Sequence, residues 1–308
     1  MRERGRISPV MREAMAAASS AVNGAAIAEH APCQIWGVLN VTPDSFSDGG
    51  QYLESSHAVQ HALAMAGAGA AVIDVGGESS RPAGAVYGAP QRVTEEAEQA
   101  RVLPVVGELA QAGIMVSIDT AKAGVARATC AAGARIINDV SCGASAELLE
   151  VAAAAAVDLV LMHNRGQGEC IGANVEYQGD VVGVVRDELL AAAERAAARG
   201  VSTSRIWLDP GIGFAKTAAQ SAELLAHLET FVKTGYRVLV GPSRKSFIAQ
   251  LAPAVDGSVP DPGERIGGTA AAVAISALSG VHAVRVHDVA IMRQAALLAS
   301  RLRQMGQS

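Results

Sequence analysis

The chain has 308 residues, 50% of them hydrophobic and 18% charged, with a net charge of −5. So large an apolar fraction excludes a largely disordered chain. The absence of any Lys/Arg-rich run excludes a nucleic-acid footprint, and no stretch is apolar for long enough to span a bilayer. Cys33, Cys130, Cys142 and Cys170 form no C-x-x-C pair or His–Cys cluster, which argues against a disulfide framework or a protein-built zinc site and fits a reducing cytoplasm.

Residues 1–33 carry Arg2, Arg4, Arg6 and Arg12 and then an Ala/Ser-rich run, interrupted by Glu3, Glu13 and Glu29. Without a Leu-rich centre they read as a flexible N-terminal extension, not a targeting peptide. From residue 34 a rhythm begins: a short β-branched apolar run, a polar turn, then a longer Ala/Leu-rich segment with helical spacing. The apolar runs fall at 34–39, 71–75, 115–118, 135–137, 159–162, 205–208, 237–240 and 283–286. Helices are predicted at 55–68, 94–111, 121–132, 145–156, 181–199, 218–234, 267–278 and 288–303. Gly69, Gly113, Gly133, Gly200, Gly235 and Gly280 follow the last turns, where a left-handed cap is expected. Near-continuous apolar strands alternating with helices argue for a parallel sheet, and eight units match a TIM (β/α)₈ barrel forming a single domain over 34–308. The rival, an open doubly wound sheet, should open with a Gly-rich loop after strand one; Asn40-Val-Thr-Pro-Asp44 is no such loop.

A barrel demands its functional groups at the C-terminal ends of the strands. Strand one ends at Asn40, strand two carries Asp74, strand three ends at Asp119, strand four at Asn138 and Asp139, and strand five at His163. Strand six ends at Asp209, strand seven runs into Ser243, Arg244, Lys245 and Ser246, and strand eight ends at Arg285 and His287. One such residue is more simply a helix cap, as Asp119 would be before Thr120; polar groups at the ends of all eight strands point to one shared mouth. Asp119, Asn138, Asp209 and Lys245 together offer acceptors and donors to the amino-pyrimidinone edge of a fused heterocycle. Arg285 supplies a flat guanidinium for a ring face, and His287 and Asn40 suit phosphate oxygens.

Some features resist that reading. The run Asp209-Pro-Gly-Ile-Gly-Phe-Ala-Lys-Thr217 lacks both glycines of a Walker A loop. Its Gly211 and Gly213 read instead as a tight loop that brings Phe214 over the pocket, with Lys216 either a solvated charge or a tie for the loop. His57, His61, His227 and His282 read as surface or packing residues. For His163 a functional and a structural role stand level.

Taken together, I-W-G-V-L-N-V-T-P-D-S-F-S-D-G-G at 35–50, I-D-V-G-G-E-S-S-R-P at 73–82, V-S-I-D-T at 116–120, I-I-N-D at 136–139, L-D-P-G at 208–211, S-R-K-S-F at 243–247 and R-V-H-D at 285–288 closely resemble the dihydropteroate synthases. The resemblance runs from residue 34 through nearly all of the remaining chain. It implies a usually homodimeric barrel that condenses 6-hydroxymethyl-7,8-dihydropterin diphosphate with p-aminobenzoate, assisted by Mg²⁺, and that is the target of sulfonamides. It further implies that Asp119, Asn138, Asp209 and Lys245 hold the pterin under Arg285, and that Asn40, Arg81, Arg285 and His287 bind the diphosphate, with Asn40 also beside Mg²⁺. Ser80, Arg81, Pro82, Phe214, Lys245 and Ser246 would line the p-aminobenzoate site. Asp44 or Asp48 would stabilise a cation left when diphosphate departs, and loops 41–50 and 78–88 would close over it. The chain departs from the usual pattern at Arg81-Pro-Ala-Gly-Ala85, one residue longer than the Arg-Pro-Gly-Ala form, and at Met162-His-Asn-Arg-Gly166. Three other readings are a methyltetrahydrofolate:corrinoid methyltransferase, a non-catalytic pterin-binding paralogue and a sulfonamide-insensitive synthase. The first would not need Ser80-Arg81-Pro82 or the cluster at 243–245, and the second should have lost Arg81, Lys245 or Arg285.

Overall fold

The computed structural model describes residues 31–41, 51–78, 93–165 and 176–306. Eight parallel strands close on themselves in chain order. They are β1 (Gln34–Asn40), β2 (Val72–Gly76), β3 (Val116–Asp119), β4 (Ile136–Asp139), β5 (Asp158–Met162), β6 (Ile206–Asp209), β7 (Arg237–Val240) and β8 (Ala283–Val286). The ring is closed by β1 on β8, with Trp36 opposite Arg285. Around it run α1 (Gln51–Gly67), α2 (Glu95–Gln111), α3 (Ala123–Ala132), α4 (Ala146–Ala155), α5 (Val181–Ala198), α6 (Ala218–Ala226), α7 (Glu229–Val232), α8 (Ser246–Leu251), α9 (Ile266–Leu278) and α10 (Val289–Gly306).

Side chains alternate across a strand, so each strand sends every second residue into the barrel. Trp36, Val72, Ile136, Val160, Trp207, Leu239 and Ala283 form a cluster of their own inside the barrel. The intervening residues, among them Ile73, Ile118, Ile137, Leu159, Leu208 and Val284, join the larger shell that packs strands against helices. Trp36 and Trp207 meet edge to face with ring centroids 5.2 Å apart, which fills the axis near the N-terminal end. Burial of each large side chain of this kind contributes roughly 1.5–3 kcal/mol. Two residues further along the same strands the inward positions turn polar: Asp74 follows Val72, Asn138 follows Ile136, Asp209 follows Trp207 and Arg285 follows Ala283. The same period that packs the floor therefore builds the mouth.

The six glycines expected to cap helices all take positive φ. Gly133 shows the need most clearly: at φ 118° a Cβ there would also lie 2.5 Å from Ala110 Cβ. The single helix expected over 218–234 is instead two, α6 and α7. His227 N–H bonds back to Leu224 O at 3.2 Å, its ring bonds Glu223 O at 2.9 Å, and the helix stops. The break lets both Leu228 and Phe231 reach full burial, a packing gain that periodicity alone does not register.

Candidate active site

Asp119, Asn138, Asp209, Lys245 and Arg285 line one cleft at the C-terminal end of the barrel, with Val140, Met162, Gly211, Ile212, Phe214 and Gly241. The four residues expected to hold a planar ring therefore converge. Asp74 lies beneath them, fully buried, and organises the floor. Its Oδ2 accepts from Arg285 Nε and, at 3.1 Å, from Asn138 Nδ2. Arg285 Nη2 donates to Asp119 Oδ2 at 2.6 Å. Three buried oxygens here, Asp74 Oδ1, Ser117 Oγ and Asn138 Oδ1, have no hydrogen-bond partner. Native proteins rarely leave such groups unpaired. Of the three, Asn138 lines the cleft, where a ligand N–H would complete its oxygen; a fourth unpartnered oxygen, Glu98 Oε1, lies on α2 outside the cleft.

Burial sets the charges. It pushes the Asp119 carboxyl up to about 7, against the pull of Arg285 and with help from Asp74. Asp209 rises to about 6 by burial, opposed by the Gly211 N–H that donates to it at 2.8 Å. Loss of hydration lowers Lys245 to about 7, and the neighbouring Arg285 cation adds to the shift. Burial also works against the charge on Arg285, but Asp74 and Asp119 outweigh it and keep the guanidinium cationic. Lys245 Nζ stands 3.6 Å from the centre of the Phe214 ring, a cation–π contact. The loop bearing Phe214 turns through left-handed Gly211 and Gly213. A Cβ at Gly211 would lie 2.0 Å from His163 O, so only glycine permits this approach.

Two of the residues expected to bind diphosphate, Asn40 and His287, stand at the C-terminal ends of β1 and β8. Asn40 ends β1 and is half-buried. His287 follows β8; its N–H donates to Ser243 Oγ at 3.2 Å while its Nδ1 lies 2.9 Å from that hydroxyl. Burial, reinforced by Arg285 and Arg244, depresses the His287 imidazole to about 3, so it is neutral. Arg244 does not enter the cleft: it forms a two-pronged pair with Asp288 at 3.0 and 2.7 Å. Ser246 is exposed at the start of α8. Asp44, Asp48, Ser80, Arg81 and Pro82 lie outside the described residues.

Two further strand-end groups stay out of the mouth. Asp139, the neighbour of Asn138, points to the opposite face and accepts from Ser141 N (2.8 Å), Ser141 Oγ (2.6 Å) and Gly143 N (2.7 Å). On β5 the residue lining the cleft is Met162, while His163 turns away to Glu188 and Lys216. The period of two forces both outcomes. Asp119 is no helix cap either, since the capping position of α3 is Lys122.

The sequence model of the pterin binding enzymes matches residues 36–287. The dihydropteroate synthase of Mycobacterium leprae is 48% identical over 264 residues, which is 84% of this chain and 89% of that one. The chain belongs to the dihydropteroate synthases. Among solved structures, the Xanthomonas albilineans synthase with 4-aminobenzoic acid superposes with a TM-score of 0.79 at 37% identity, covering 90% of this chain and 94% of that one. The same organism's synthase in complex with 7,8-dihydropteroate gives 0.75 at 36% identity, with the same coverage.

Sequence reasoning about this synthase missed Asp74 as the hub of the floor. Its place two residues before Gly76, on the inward phase of β2, is the signal that would have found it. Lys216, left open between two readings, ties the loop.

Proposed function

We propose that this cleft condenses 6-hydroxymethyl-7,8-dihydropterin diphosphate with p-aminobenzoate, with the pterin on the floor and the aromatic amine at the rim. The unpartnered Asn138 Oδ1, on a residue that lines the cleft, carries the reading: a buried acceptor without a donor has a standing cost of about 1–3 kcal/mol that a ligand N–H would remove. Asp119 and Asp209 accept from the ring's amino and N–H groups, Lys245 donates to a ring oxygen or nitrogen, and Arg285 covers the ring. Asn40, Arg81, Arg285 and the neutral His287 hold the diphosphate. Ser80, Arg81, Pro82, Phe214, Lys245 and Ser246 receive p-aminobenzoate.

The C–O bond at the exocyclic CH₂ breaks first, and its electron pair leaves with diphosphate. The electron-rich pterin delocalises the positive charge, which Asp44 or Asp48 stabilises. The amine nitrogen then bonds to the CH₂ and loses a proton. In this mechanism the segments 41–50 and 78–88, which lie almost wholly outside the described residues, would close over the site and keep water from capturing the cation.

Magnesium fits this donor set only in company with substrate. Among the described residues no three His, Cys, Asp or Glu side chains gather to hold a metal. Mg²⁺ keeps several waters and commonly binds through substrate phosphates plus one or two protein oxygens. Asn40 offers one such oxygen, and the ion would neutralise charge on the leaving diphosphate.

A second copy of the chain would cover the outer face of α10, where Ile291, Leu298, Leu302 and Met305 are all at least half exposed. Sedimentation at micromolar concentration should show a dimer that Leu298→Glu dissociates. No described helix is long and apolar enough to cross a membrane. Cys33, Cys130 and Cys142 are free thiols, in keeping with the cytoplasm. Release of diphosphate from the pterin substrate, measured with and without p-aminobenzoate, tests the activity: release that ignores p-aminobenzoate contradicts it.

A further inference from the structure

The loop between β6 and α6 is wound around one ammonium group. Within five residues Gly211, Gly213 and Ala215 all take positive φ, at 64°, 81° and 49°. This winding turns two carbonyls inward: Lys216 Nζ donates to Gly211 O at 3.1 Å and Phe214 O at 2.9 Å. The third partner is His163 Nδ1 at 2.9 Å. A lysine ammonium has three donors and no acceptor, so all three are used.

The histidine end of the chain is equally constrained. His163 is only 1% exposed, and its Nε2 lies 2.8 Å from Glu188 Oε2. Glu188 is itself held by Arg165, whose guanidinium stacks 4.3 Å from the Tyr177 ring centre. Tyr177 Oη returns to the loop and donates to Ala215 O at 3.0 Å. A Nδ1 that accepts from Lys216 leaves the proton on Nε2, where it donates to Glu188; the tautomer is dictated by both neighbours. None of these side chains lines the ring-binding cleft. What the knot supports does: Phe214, under Lys245 Nζ.

We infer that Lys216 and His163 are positioning residues for the second substrate, the ammonium and the Nε2-protonated imidazole together holding Phe214 and Lys245 at the p-aminobenzoate wall. The inference rests on the assignment of Phe214 to that wall. Lys216→Met removes all three donors at nearly constant length. It should raise KM for p-aminobenzoate about tenfold, as expected for lost hydrogen bonds in a buried tie, while KM for the pterin diphosphate stays within about twofold.

His163→Asn and His163→Leu separate positioning from packing. Asn places an acceptor near the Nδ1 position and should retain most of the p-aminobenzoate affinity, whereas Leu strands the third donor and should lose it. If His163 only fills space, Leu will outperform Asn, and the inference fails. Phe214→Ala is the control for the underlying assignment: if it leaves the p-aminobenzoate KM unchanged, the wall assignment is wrong, and if it raises that KM while Lys216→Met does not, the knot is wrong. For variants that do not fold, imidazole ¹⁵N shifts of the wild-type enzyme at about pH 6.5, where a solvated histidine is half charged, decide the matter. A neutral, Nε2-protonated His163 supports the tie; a charged or Nδ1-protonated ring overturns it.

Discussion

At the N-terminal floor of the barrel Asp158 meets Arg237 and Trp207 Nε1, each at 2.9 Å, and Arg205 at 3.5 Å, so both its oxygens are engaged. Arg237 also stacks on Trp207 at 4.4 Å, and His282 Nδ1 accepts from Val238 N at 3.0 Å. At the C-terminal mouth Asp74, Ser117 and Asn138 each keep an oxygen without a partner, although they are at least as deeply buried. Both ends bury charge on the same eight strands. A fully paired cluster is complete in the free protein and contributes to holding the barrel closed. An incompletely paired one is held open for a molecule that brings its own donors. Inside the barrel, incomplete satisfaction, more than burial or charge, distinguishes the mouth from the floor; the other unpartnered buried oxygen among the described residues, Glu98 Oε1, lies on α2.

The contrast breaks first at the floor. Asp158→Leu strands Arg237 and the Trp207 N–H, and breaking a buried pair this way costs about 3–5 kcal/mol. Urea denaturation should show that loss, with kcat/KM of the folded fraction unchanged. At the mouth, Lys245→Ala should lower kcat by about 10²–10³, the scale seen when one preorganised donor is removed. Its unfolding midpoint should move little, because the burial cost of the lysine charge and the repulsion of Arg285 offset the attraction of Asp209 and Asp119 and the contact with Phe214. Normal turnover in that variant would overturn its role. Asn138→Leu should weaken pterin diphosphate binding by about 1–3 kcal/mol, read by calorimetric titration, while costing the free protein only its one hydrogen bond to Asp74.

The smallest effect is in pH. With Asp119 raised to about 7 and Asp209 to about 6, both are protonated in acid and cannot accept from the pterin. Lys245, lowered to about 7, loses its charge in alkali. The free-enzyme profile of kcat/KM should therefore be a narrow bell near neutrality. Asp209→Asn should remove its part of the acid limb.

The barrel itself was written in eight apolar runs, six capping glycines and helices of the right length between them, because those signals are local. Asp119, Asn138, Asp209, Lys245 and Arg285 were legible as strand-end polar groups for the same reason. Asp139 leaves the mouth because one residue along a strand reverses the face, and the same phase decides His163, for which the sequence leaves a functional and a structural role level, in favour of the loop. The role of Asp74 is not legible locally, since its partners lie 64 and 211 residues away and no local pattern reports such pairing. The Lys216 knot depends on backbone carbonyls turned by left-handed φ values, which two glycines hint at and Ala215 conceals.

A crystal structure of the enzyme with 6-hydroxymethyl-7,8-dihydropterin diphosphate alone examines the unpaired mouth most directly. The ring should lie among Asp119, Asn138 and Asp209, with a ring N–H or amino group within hydrogen-bond distance of Asn138 Oδ1. A ring bound elsewhere, with that oxygen still bare, would contradict the assignment of the mouth as the pterin site.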